Sequence, residues 1–99
     1  IKSPPGSTVS AIFSGKVVFS DWLRGYGLLI IIDHGQGVLS LYGYNESIEN
    51  AVGDTVVAGE RIGISGSDDR NKVGSYFGMR VNGQPVNPEK WLKKTSNKG

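Results

Sequence analysis

The chain contains no cysteine, which excludes disulfides, thiol catalysis and thiolate metal sites together. It has a single histidine, His34, among 99 residues. No apolar run approaches the roughly 20 residues that a membrane-crossing helix needs, so no membrane insertion by this segment is expected. Charge of one sign is also scarce. The formal net charge is +2, and much of the positive character sits in the terminal stretch KWLKKTSNKG. The basic residues are not interleaved with aromatics along one stripe, so nucleic-acid binding has no support. The opening IKSPPGS shows neither a start methionine nor a signal pattern, and reads as the beginning of a mature or excised piece of something longer.

What the chain does have is glycine, fifteen of them, and little that favours helix. That composition and length suit one small, turn-rich β domain with one continuous core. Residues 1–8 read as a Pro/Gly/Ser linker. VSAIF (9–13) and KVVFSD (16–21) read as two short strands parted at Ser14-Gly15, and DWLRGYG (21–27) as a glycine-bounded loop. LLIIID (28–33) is a near-continuous apolar run, expected as a central strand covered on both faces. His34-Gly35-Gln36-Gly37 is a tight turn into VLSLY (38–42), making a hairpin. Residues 47–51 are expected to hold one helical turn, because Glu46 and Glu49 stand at i,i+3. VGDTVVAGERIGISG (52–66) is cut by glycines into two short strands, with Asp54 in a turn. Residues 75–81 form a last strand, and Asn82-Gly83 is its turn. A short helix then follows over 86–92, with Asn87 as N-cap, Pro88 at its first position and Trp91 and Leu92 closing the core. The expected fold class is all-β, a small antiparallel sheet or open barrel of about seven short strands with one short C-terminal helix. Residues 9–92 form the domain and 93–99 a basic, disordered tail.

The residues offer little to catalysis. A catalytic zinc needs three ligands from His, Asp, Glu or Cys and an open position for water. His34, in a hairpin turn, is better placed to bond nearby backbone, and Asp68 and Asp69 are adjacent loop carboxylates of the kind that sit in solvent. No serine lies in a strand-to-helix elbow beside a base. The glycines of GDTVVAGERIGISG do not form a phosphate loop, since no Lys-Ser/Thr pair opens a helix after them. The aromatics and arginines are the stronger assets: Trp22, Arg24, Tyr26, Tyr42, Tyr44, Tyr76 and Arg80 are residue types that anchor interfaces, or that pack a small core.

Three stretches in order carry a resemblance: SGKVVFSDWLRGYGLLIIIDHGQGVLSLYGYN, VGDTVVAGERIGISG and SYFGMRVNGQPVNPEKWL. Alone, GDxVxxGxxIG is also similar to a lipoyl-type barrel, but Lys72 lacks that carrier's setting. As a set, the three resemble the C-terminal part of a LytM (lysostaphin-type) zinc metallopeptidase domain over about residues 6–92. The resemblance implies that active members hold zinc with an early H-x-x-x-D and the second His of a late H-x-H. Two further histidines, one in a Tyr-Ala-His stretch and the first of H-x-H, assist. Here the early motif is absent. Tyr44 stands at the assisting His of Tyr-Ala-His, Gly74 at the first His of H-x-H, and Tyr76 at the zinc ligand. His34 matches a structural Asp-His-Gly turn.

DWLRGYG, LYGYN and SYF together resemble one branch, the EnvC-like murein hydrolase activators. These are degenerate, non-enzymatic LytM domains of the Gram-negative periplasm that bind N-acetylmuramoyl-L-alanine amidases and relieve their autoinhibition. The resemblance implies no catalytic residue, no metal and no cofactor. It implies a partner-binding groove from Tyr44, Tyr76, Arg80, Trp22, Arg24 and Tyr26, with peptidoglycan as a second ligand. Gly78 departs from the branch, where Glu is usual. A peptidoglycan-binding module that only localises its parent protein is the alternative.

Overall fold

The computed structural model describes residues 6–66 and 76–87. Eight strands run through them: β1 Thr8–Ser10, β2 Gly15–Leu23, β3 Gly27–Asp33, β4 Val38–Ile48, β5 Thr55–Val56, β6 Arg61–Ser65, β7 Tyr76–Val81 and β8 Gln84–Val86. All pair antiparallel in one sheet ordered β1-β6-β4-β3-β2-β5, with β7 paired to β4 and β8 to β7. There is no helix among the described residues. The all-β antiparallel expectation holds, and the expected C-terminal helix lies outside the described residues from position 88 onward.

The apolar run behaves as its pattern requires. In β3, Ile30 and Ile32 point to one face and Leu29 and Ile31 to the other. Leu29, Ile30 and Ile32 are essentially sealed from solvent. Ile30 and Ile32 join Ala11, Val17, Tyr42, Val56 and Ile62 in the main core. Each buried Val or Ile of that cluster contributes about 1.5–3 kcal/mol by leaving water.

Several local expectations change. The helical turn at 47–51 does not form: β4 continues to Ile48, because its far end still has a ladder partner in β6. Glu49 reaches Arg61 instead, at 2.9 Å. The DWLRGYG loop shrinks to a three-residue turn, because Asp21 to Leu23 pair with Leu29 to Gly27. Asn82-Gly83 does make the tight turn, with both residues at positive φ (54° and 82°), but it leads into β8 rather than a helix at Val86. Gly6 and Ser7, expected in the linker, both bond Ser65.

His34 ties the sheet to the segment before β2. Its Nδ1 lies 2.8 Å from the Ser14 carbonyl, which can only accept, so the proton sits on Nδ1. Ser40 Oγ bridges His34 Nε2 at 2.7 Å and the Tyr42 hydroxyl at 2.8 Å. The Tyr42 oxygen accepts from the Ile12 amide at 3.1 Å, while the rings of Phe13 and His34 meet at right angles. The histidine is structural, but it holds backbone twenty residues away rather than its own turn.

Burial pushes the Tyr42 phenol above its ordinary value, with the Ser40 and Ile12 hydrogen bonds opposing the shift. A phenol raised on folding favours the fold fully below its unfolded pKa of about 10, and that contribution is lost as pH climbs through the folded value. Tyr42→Phe should therefore cost about 1–3 kcal/mol at pH 7, through the unpaired Ile12 and Ser40 groups. Urea unfolding at neutral and at alkaline pH should show this gap to wild type narrowing above pH ~10. A gap independent of pH would contradict the assignment.

Candidate functional site

The site begins with a change of partner along β4. Its first half, Val38 to Gly43, pairs with β7; its second half, Asn45 to Ile48, pairs with β6. Both use the same edge, since the opposite edge is taken by β3. The changeover falls on Tyr44. There β4 carries an extra residue relative to β3, whose Leu28 faces Asn45 while Ile30 faces Tyr42. Tyr44 absorbs the bulge with φ 56°. A left-handed conformation at a non-glycine residue costs on the order of 1–3 kcal/mol, so other contacts must hold it.

Those contacts are close. The Tyr44 amide donates to the Tyr26 carbonyl at 2.6 Å, and the Tyr44 carbonyl accepts from Gly66 at 2.8 Å. The Tyr44 hydroxyl donates to the Gly25 carbonyl at 2.7 Å. Asn45 staples the bulge from the core side: its amide nitrogen donates to Leu28 and Tyr42 carbonyls at 2.9 and 2.8 Å. Nothing but its place after Tyr-Gly-Tyr marked Asn45 in the sequence.

The turn so held is residues 24–26, closed by the Tyr26 amide on the Leu23 carbonyl. It carries Arg24, exposed, and Tyr26, whose ring meets Tyr76 edge-on at 5.4 Å and 66°. Tyr76 opens β7 and lies along its own strand. A Cβ at Gly78 would run into the Tyr76 hydroxyl and stand 2.8 Å from its Cζ; one at Gly43 would meet the Tyr76 Cβ at 3.4 Å. Two glycines thus floor a seat for the ring, a role that neither advertised in the sequence. At Gly78 the space a side chain would take is occupied by the Tyr76 phenol. Arg80 follows on the same face, opposite Leu39. It meets no carboxylate among the described residues, where Arg61–Glu49 is the ion pair.

The structure therefore brings Tyr26, Tyr44 and Tyr76 together, with Arg80 along the strand and Arg24 on the rim. Trp22 does not join them. Its register partner is Leu28, which shares a face with Ile30 and the core, whereas Arg80 and Tyr76 share the opposite face with Leu41 and Gly43. Trp22 is 59% exposed on that other side. Gly74, Asp68, Asp69 and Lys72 lie outside the described residues.

The chemistry of this donor set does not fit a catalytic zinc. The Tyr44 phenol is committed to a carbonyl, the Tyr76 phenol lies over Gly78, and both His34 nitrogens are engaged elsewhere. Among the described residues no three His, Cys, Asp or Glu side chains gather into a metal-holding group. A neutral phenol is a poor replacement for imidazole on zinc.

Comparison with known proteins fits this geometry. The sequence profile of Peptidase family M23 matches residues 1–88. The murein hydrolase activator EnvC of Escherichia coli is 45% identical over 93 residues, 93% of this chain and 22% of that protein. The murein hydrolase activator NlpD of Salmonella dublin is 36% identical over 93% of this chain and 25% of its own length. The chain thus spans about a quarter or less of these two relatives. Among solved structures, the catalytic domain of the antimicrobial peptidase lysostaphin from Staphylococcus simulans superimposes with a TM-score of 0.82 at 31% identity, covering 92% of this chain and 74% of that one.

Elemental analysis of the purified chain should find zinc far below one atom per chain, unchanged in Tyr76→Phe. Close to one zinc per chain, lost on that substitution, would overturn the reading of the donor set.

Proposed function

The chain belongs to peptidase family M23, and from that premise we propose that it is a non-catalytic LytM-type domain of the Gram-negative periplasm. It binds an N-acetylmuramoyl-L-alanine amidase and activates it for septal peptidoglycan cleavage during cell division. The observation that carries the proposal is the packing of Tyr44 and Tyr76, the two positions that the resemblance aligns with family histidines. Both phenols are built into packing that leaves an aromatic surface beside Arg80, which meets no carboxylate among the described residues. The relatives named murein hydrolase activators support the same reading.

The mechanism is a shift of population. An amidase silenced by its own regulatory segment becomes active when that segment is captured in its displaced position. A binder moves the equilibrium only by its difference in affinity for the two states. Tyr26 and Tyr76 supply rigid apolar contact, and Arg24 and Arg80 supply partners for carboxylates, a combination suited to one face of an amphipathic helix.

Localisation of a parent protein on peptidoglycan is the second reading. It draws on the exposed ring of Trp22, which lies away from the tyrosine cluster and is free to stack on a sugar.

Release of dye from labelled sacculi separates the readings. The chain alone should release none, an amidase alone little, and the mixture much more. Tyr76→Ala and Arg80→Glu should each lower the synergy about tenfold or more, as expected of anchors at the centre of an interface, with thermal unfolding still cooperative. Dye release by the chain alone, or full synergy in both variants, would refute the proposal. Sedimentation with sacculi without any amidase effect would favour localisation.

A further inference from the structure

The role of Tyr44 can be drawn more finely than membership of a docking surface. We propose that Tyr44 is a positioning residue: it holds the turn 24–26 in place, so that Tyr26 stands against Tyr76, and it does not itself touch the partner. The inference rests on the docking reading above for its functional consequence, but not for its structural content.

Three observations carry it. First, Tyr44 grips the turn twice, through its amide on the Tyr26 carbonyl and through its hydroxyl on the Gly25 carbonyl. Second, the turn has little stiffness of its own. Gly25 and Gly27 both sit at positive φ, 90° and 66°; Gly25 has open space around it, and at Gly27 the nearest neighbour is Tyr44 itself, whose ring would stand 3.5 Å from a Cβ there. Third, what the turn carries is the neighbour of Tyr76. Tyr26 meets that ring edge-on, and its carbonyl lies over Gly43, 3.1 Å from where a Cβ would be.

The phenol is also hard to explain otherwise. A bulge with φ 56° suits glycine or asparagine far better than tyrosine. Either would satisfy the backbone bonds to Tyr26 and Gly66. Only a side chain as long as tyrosine, ending in a donor, reaches the Gly25 carbonyl as well. That bond ties the hydroxyl to the turn.

The test compares wild type with Tyr44→Phe, which deletes only the hydroxyl, and Tyr44→Asn, which suits the bulge but cannot reach Gly25. In the free chain, amide exchange at residues 25–27 should quicken about two- to tenfold, the range one net hydrogen bond commands, and Tyr26–Tyr76 ring cross-peaks should weaken. Affinity for each Escherichia coli N-acetylmuramoyl-L-alanine amidase that binds wild type should fall by a similar factor. In a Tyr26→Ala background, Tyr44→Phe should cause no further loss, because the residue through which it acts is gone.

Unchanged exchange and ring contacts in both variants would overturn the inference. So would an equal loss of affinity with and without Tyr26, which marks direct contact. If wild type binds none of these amidases, the docking reading fails, and exchange with ring contacts in the free chain still decides whether Tyr44 positions the turn.

Discussion

One edge of β4 has to serve two strands, and the rest of the site follows from how it does so. β7 takes the edge as far as Gly43 and β6 takes it from Asn45 onward. The two ladders cannot share a residue, so β4 bulges where one hands over to the other. The bulge throws Tyr44 into a left-handed conformation and turns its backbone towards the 24–26 turn. Asn45 then closes the core side of the defect with both protons of its amide. A β-bulge re-aims side chains and ends pairing at a chosen point, and this is a frequent use of bulges beside functional sites. Here the re-aimed residue is the one that the resemblance aligns with a catalytic histidine.

That geometry explains how one scaffold can serve either chemistry or recognition. The lysostaphin catalytic domain shares the fold at a TM-score of 0.82, and the bulge is a backbone device that would aim an imidazole as readily as a phenol. With phenols at 44 and 76 and glycines at 43 and 78, the described residues fill the face with rings rather than converging donors. Rigid rings with few torsions lose little entropy on binding and offer broad contact area. For a partner held in two states, what counts is differential affinity, about 1.4 kcal/mol for each tenfold change in population. On the proposed function, a few seated rings and an arginine that meets no carboxylate among the described residues would supply affinity of that order.

Much of the fold was legible because its signals are local. LLIIID declared a buried strand by unbroken apolarity, Asn82-Gly83 declared a tight turn, and the glycines after Val52 declared two short strands. What was not legible depended on distant partners. The Glu46/Glu49 spacing suggested a helical turn, but β6 was waiting to extend β4, and pairing outweighed a weak propensity. DWLRGYG looked like a loop because its ladder partners lie across the turn. Gln84 to Val86 hid as a strand because Pro85 is a poor strand former, tolerated here opposite Arg80 at the sheet's margin. In the site, Tyr26, Tyr44, Tyr76 and Arg80 share one region. Trp22 showed the limit: its chemistry suggested an anchor, but only the register told which face it occupies.

On the proposed function, the face built around Tyr26, Tyr76 and Arg80 is the docking face for an amidase. Amide shift mapping of the labelled chain during titration with such an amidase tests it most directly. Perturbations should gather on Tyr26, Leu41, Gly43, Gly78 and Arg80. Perturbations gathered instead around Val18, Val52 and Val57, the exposed valines beside the β2–β5 edge, with the tyrosine cluster unmoved, would contradict it.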